Sequence, residues 1–256
     1  MTEPRIPTIF APQRRLRRWQ RACARQQTAG PAAARYILDD ITEDVLERIA
    51  FVQHQPARAM VLGDITGALH TALEAQGAVL ADAAAIDPEA PWPSSGFDFI
   101  AVIGILDAVN DLPGALIHIH NALAPGGLAI ASFIGGASLA SLRAAMLAAE
   151  PERPAARMHP LVDPRAAPQL LQRAGWKDPV VDTHAVAVRY SSLATLVGDL
   201  RDQGLGSALA DAAAPLGRAA RQRAEAAFAS RADESGKTPE TFEIITLTGR
   251  RSLAGT

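Results

Sequence analysis

Between Phe97 and Ile103 every residue except Asp98 is apolar, the composition of a strand buried on both faces of its sheet. Leu112, Leu116, Ile119 and Leu123 follow at helical spacing and predict a helix over 112–123 with one apolar face. Pro125-Gly126-Gly127 then stops it, because proline cannot continue a helix and glycine accepts a left-handed backbone. A second strand begins at once over 128–133. Strand, crossover helix, tight turn and strand make one βαβ unit of a parallel, doubly wound sheet.

The same patterns extend in both directions. Ile37, Ile41, Val45, Leu46 and Ile49 predict a helix over 37–52. A first buried strand is expected at 58–63, a short helix at 68–76 stopped by Gly77, and a strand at 78–81 ending at Asp82. The prolines of 83–96 require a loop. Beyond 133, helices are expected over 138–150, with Ser138 as N-cap, and over 164–174, ended by Gly175. The four prolines of 151–164 leave that stretch irregular. Alternation marks strands at 180–190 and 242–249, with helices over 193–203 and 207–229 between them. The expectation is an α/β chain with a mostly parallel sheet and an antiparallel last strand. Residues 1–36 form a basic arm, 37–256 a single domain, and about 191–230 a helical insertion.

Composition narrows this picture. With 256 residues, 48% hydrophobic and 20% charged at a net charge of −2, the chain can bury one large α/β core. Abundant alanine predicts closely packed helices. The single Cys23 excludes an internal disulfide and a cysteine-built metal site, and fits a reducing compartment such as the cytoplasm. No apolar run reaches the roughly 18 residues of a membrane span. Residues 1–35 carry eight arginines against one acid, Glu3. Such an arm suits an acidic protein partner, anionic lipid or nucleic acid, or is a solvated helix packed on the domain. Only Phe10 and Trp19 interleave it with aromatics, so no nucleic-acid role is expected. It also resembles an organelle transit peptide, which would place the protein in an organelle matrix.

In a doubly wound sheet the ligand lies beyond the carboxyl ends of the strands, near the first one. There the chain offers Gly63 and Gly67, glycines of the kind that let a ligand approach the backbone. Asp82, 19 positions after Gly63, stands where an acid would bind ribose hydroxyls. The alternative is an ordinary strand–helix turn and a surface acid. Asp107 follows a strand and is the polar candidate for substrate contact, or a helix-start acid favoured by the dipole. Asn110 and Asp111 read as helix caps. His159 lies in the proline-rich stretch, where it could act as a base over the pocket. His118 and His120 are two apart on a helix and face different ways, so no metal site is expected.

The stretch FDFIAVIGILDAVNDLPGALIHIHNALAPGG resembles the corresponding half of class I S-adenosylmethionine-dependent methyltransferases. More narrowly it is similar to the branch holding the biotin-pathway methyltransferases and the methyltransferase-like mitochondrial complex I assembly factor. Val109-Asn110-Asp111-Leu112-Pro113 matches that branch letter for letter. The likeness continues at Phe133–Leu139, Gly175-Trp176, Val181-Asp182-Thr183, Tyr190 and Asp199-Leu200-Arg201, and covers nearly the whole chain. It implies a Rossmann-like fold and S-adenosylmethionine as cofactor. It also implies substrate-facing roles for Tyr190 and Arg201, and a place for Asp87 near an adenine-like ring.

Departures from the branch fall on the cofactor side. Its first loop reads close to LDLGxGxG; here Val61 stands at the acid and Ile65 at the middle glycine. A β-branched residue there should resist the turn and fill cofactor space. The interval from Gly63 to Phe97 is short by about a helix and a strand, so either 78–82 is the second strand and the third is vestigial, or the reverse. The branch's His-Trp pair is Asp107-Ala108. Methyl transfer needs chiefly in-line positioning, so no catalytic residue is assigned. Two functions stand side by side: a methyltransferase-like protein with an eroded cofactor loop, or a non-catalytic pseudo-methyltransferase that binds or assembles a partner, such as a respiratory complex. The arm and the helical insertion would then contact that partner. A nicotinamide dehydrogenase would need an intact glycine fingerprint.

Overall fold

A computed structural model describes residues 8–83 and 86–253. Arg5 and Glu3 of the arm, and part of the loop expected at 83–96, lie outside the described residues. The elements run α1 (Pro12–Ala29), α2 (Tyr36–Phe51), β1 (Arg58–Leu62), α3 (Ala68–Ala75), β2 (Val79–Ala81), β3 (Phe97–Ile103), α4 (Leu112–Ala122), β4 (Leu123–Gly135), α5 (Ala140–Ala149), α6 (Ala167–Arg173), β5 (Lys177–Tyr190), α7 (Leu193–Asp202), α8 (Arg218–Ala229) and β6 (Thr238–Arg250).

The six strands lie in the order β2-β1-β3-β4-β6-β5, and β6 runs antiparallel to both its neighbours. Residue alternation along β3 explains the double layer. Phe99, Ala101 and Ile103 face one core with Ile37, Ile41 and Val45 of α2, while Ile100 and Val102 face the other with Leu116 and Ile119 of α4. Both faces of the strand are thus buried, as its unbroken apolar run requires. Alanines let α5 approach α8, where Ala145, Ala149 and Ala224 are fully buried. β2 pairs in parallel with β1 and, among the described residues, no strand lies beyond it. Residues 79–81 are therefore the second strand, and no third lies beyond it among the described residues.

Three local expectations are corrected. β4 begins at Leu123, which pairs with Phe97, so the Pro125–Gly127 turn is an irregularity inside the strand. Ser138 does not cap α5: its hydroxyl donates to the Gly135 carbonyl at 2.6 Å and accepts from the Glu243 amide at 2.8 Å. The cap comes from β6, where the Glu240 carboxylate accepts from the Ser141 and Leu142 amides. α8 starts only at Arg218, because 208–210 pairs instead with the chain before α1. There the Ala208 carbonyl accepts from the Ala11 amide at 3.0 Å, and the Ile9 carbonyl accepts from the Ala210 amide at 2.8 Å.

Candidate functional site

The chain leaves β1 toward β2 on one side and returns through β3 on the other, which opens a crevice at the carboxyl ends of β1 and β3. Gly63 and Gly67 bound the loop on the β1 side. Gly63 has φ +82°, and a Cβ there would lie 1.9 Å from the Ile103 carbonyl oxygen, so this glycine is demanded by the crossing of two backbones. Gly67 has φ +71° with open space around it. Between them Asp64 accepts from the His70 amide at 2.8 Å and closes the start of α3. Ile65 does not strain the turn, since the left-handed residues are Gly63 and Gly67. Its side chain reaches Gly204, where a Cβ would lie 2.6 Å from Ile65 Cδ1.

Across this crevice lies α1. The segment read as a basic arm, or as a solvated helix packed on the domain, is a packed helix that buries Arg15 and Arg18 together with Ala22 along one face. Arg18 grips the fully buried Asp107 carboxylate with two donors, at 3.0 and 3.1 Å, and also donates to the Gly206 carbonyl at 3.0 Å. His159 Nε2 lies 3.5 Å from the same carboxylate. Its Nδ1 is buried without a hydrogen-bond partner, and its ring meets the edge of Phe10 at 5.4 Å. Burial alone would raise the Asp107 pKa, but the charges of Arg18 and His159 and their hydrogen bonds outweigh it and hold the carboxyl below its ordinary range.

Arg15 does the same one helical turn earlier. It donates to Asp87 at 2.9 Å and to the Ala108 carbonyl at 3.0 Å, and forms an ion pair with Glu89. Glu89 in turn accepts from the Asn110 and Asp111 amides at 2.7 and 3.0 Å. Burial pushes the Glu89 carboxyl up; the Arg15 and backbone hydrogen bonds bring it below the usual value. Asn110 is not a helix cap. Its side-chain oxygen accepts from the Ile9 and Phe10 amides at 2.8 and 2.9 Å, fastening the chain that enters α1, while Asp111 caps α4 through the Gly114 amide at 2.9 Å.

The structure thus brings together Asp87, Asp107 and His159, and places Gly63 and Gly67 on the same end of the sheet. Asp82 is exposed just past β2. Tyr190 is buried, and its hydroxyl bonds that of Tyr36, which donates to Asp199 at 3.3 Å. Burial raises the Tyr190 pKa and pushes Tyr36 up to about 12. Arg201 lies on a groove that Arg18 also lines. Arg15, Arg18 and Glu89 were the functional residues not singled out. Their signal was the i, i+3, i+7 spacing of Arg15, Arg18 and Ala22, one face of a helix. Among the described residues, no group of three or more His, Cys, Asp or Glu is placed to hold a metal ion. No helix among them is long and apolar enough to cross a membrane.

At this end of the sheet Asp87 pairs with Arg15, no strand lies beyond β2 among the described residues, and the close approach at Gly63 is to the Ile103 backbone.

Comparison with known proteins gives consistent findings. The family described as "Methyltransferase domain" matches residues 20–180. The rat protein named "Arginine-hydroxylase NDUFAF5, mitochondrial" is 33% identical over 164 residues, 62% of this chain and 48% of that protein. The Coxiella burnetii protein named "Malonyl-[acyl-carrier protein] O-methyltransferase 1" is 31% identical over 137 residues, 53% of this chain and 47% of that one. The chain spans about half the length of the curated relatives it matches. Among solved structures, the N-methyltransferase NodS of Bradyrhizobium japonicum, in complex with S-adenosyl-L-homocysteine, aligns with TM-score 0.39 at 12% identity, over 83% of this chain and 86% of that one.

Proposed function

The chain belongs to the methyltransferase-domain family, and from that premise we propose that it is a non-catalytic member, a binding or assembly module whose donor site is closed by its own first helix. One observation carries this reading. Arg15 and Arg18 of α1 are spent on Asp87, Glu89 and Asp107, the acids at the sheet end where a donor would sit. A buried ion pair is costly to open by removing one partner, about 3–5 kcal/mol, so a donor reaching Asp107 would have to displace α1. The partner surface is α1 with the α7–α8 region. The resemblance to an assembly factor implies a respiratory-complex subunit as the partner class, in whichever compartment, cytoplasm or organelle matrix, that complex is built.

A second reading, an active S-adenosylmethionine-dependent methyltransferase, is favoured by one feature. An open groove of about 670 Å³ runs between the Asp64–Gly67 loop and the far end of α1, lined by Cys23, Gln26 and Arg35. Calorimetric titration with S-adenosylmethionine and S-adenosylhomocysteine separates the two. The proposed reading expects no heat at millimolar ligand, and micromolar binding defeats it.

A further inference from the structure

Arg18 has a second side. Beyond Asp107 it lines an open groove of about 660 Å³ between α1 and the end of α7, together with Arg21, Arg25 and Arg201. Four arginines from two helices line one concavity. Acids answer only two of them, since Asp107 takes Arg18 and Asp202 takes Arg25. The Arg21 side chain donates to the Arg17 backbone carbonyl at 3.1 Å. Arg201 makes no side-chain hydrogen bond or ion pair among the described residues. Two positive charges are thus gathered without a carboxylate, an arrangement that repels itself until an anion arrives. Guanidinium forks are also suited to bind carboxylates with two parallel bonds.

The shape of the groove selects the kind of anion. Between the arginines it is lined by small residues, Ala24, Gly204, Gly206 and Ser207. Arg18 to Thr28 is ten residues of helix, about 15 Å at a rise of about 1.5 Å per residue. An extended peptide covers that length with about four or five residues at ~3.3 Å each. A free phosphate would engage one or two of these arginines and leave the rest unanswered.

The geometry points to a docking groove for an acidic, Asp- or Glu-rich peptide segment of a partner protein, laid along α1 with its carboxylates on Arg21, Arg25 and Arg201. This rests on the binding-module reading above and gives that module the chemistry of its partner. The test is fluorescence anisotropy of the full chain with a short labelled peptide of alternating Asp and Ser, at low salt. Saturable binding is expected, weakened by added salt because exposed charges are screened. The Arg21→Glu, Arg201→Glu double variant should bind at least about tenfold more weakly, whereas Arg14→Glu, exposed on α1 outside the groove, should not. Arg21→Gln with Arg201→Gln is the milder pair should charge reversal unsettle α1, and circular dichroism checks the fold of each.

No saturable binding, or an equal loss in Arg14→Glu, overturns the proposal. So does inorganic phosphate that displaces the peptide at equal anion concentration, which would make this a small-oxyanion site. The outcome is separable from the donor titration. Heat with S-adenosylmethionine would defeat the non-catalytic reading and leave peptide binding standing; a silent peptide beside a silent donor would defeat the groove alone.

Discussion

Replacing Arg18 with methionine keeps the aliphatic stem and removes the charge that answers Asp107. The Arg18 side chain is 7% exposed and that of Asp107 not at all, so the stranded carboxylate cannot recover water. The wild-type pair supplies two N–H···O contacts at 3.0 and 3.1 Å, and His159 Nε2 lies 3.5 Å from the carboxylate. Removing one partner of a buried pair costs about 3–5 kcal/mol. Urea denaturation near neutral pH should show this as a lower midpoint with an unchanged slope. Asp107→Asn should cost a comparable amount, since it strands Arg18. The double variant Arg18→Met, Asp107→Leu should recover most of either loss, because two apolar groups leave no buried charge. A single-variant loss below about 0.5 kcal/mol, the range of solvent-exposed pairs, would refute the view that α1 is fastened into the crevice.

Three further outcomes follow from the same geometry. Gly63→Ala should destabilise by roughly 3 kcal/mol or more, because its Cβ would fall 1.9 Å from a carbonyl oxygen at φ +82°. Gly67→Ala, at φ +71° in open space, should cost only about 1 kcal/mol; equal melting-temperature losses for the two would contradict this. Ile65→Gly should lower stability by roughly 1–3 kcal/mol, since its side chain packs toward Gly204, and leave donor titrations flat. Recovered affinity would make Ile65 the block. In the folded state Asp107 and Glu89 lie below their ordinary values, so the stability they contribute is present above the usual carboxylate range and lost as pH falls through the lowered values. The urea midpoint should hold from about pH 7 to about pH 5 and drop below about pH 4, and a midpoint flat to about pH 2 speaks against these pairs.

The core was legible because its signal is local. An apolar run around the single Asp98 gave Phe97–Ile103 at its observed ends, and helical spacing gave α2 and α4 to within a residue. What escaped was decided by partners distant in sequence. An arginine stripe on a helix looks solvated until the acids from after β2 and β3 are brought beneath it, and no local pattern joins Arg15 to Glu89 or Arg18 to Asp107. The start of α8 was misplaced for the same reason, since 208–210 gives its backbone to the chain before α1. Tyr190 ends a half-buried strand, and only the packing of α2 and α7 shows that its hydroxyl bonds that of Tyr36, which in turn donates to Asp199. At the site, Asp87, Asp107 and His159 do share one end of the sheet. The helix that occupies that end was hidden in charge that looked like surface.

Donor binding tests the central claim most directly. Isothermal titration of the intact chain with S-adenosylmethionine, repeated with S-adenosylhomocysteine, should give no binding heat at millimolar ligand while α1 holds Asp87, Glu89 and Asp107. Saturable heat with a dissociation constant near micromolar, about −8 kcal/mol of binding free energy, would show that the crevice admits the donor and would contradict a closed, non-catalytic site.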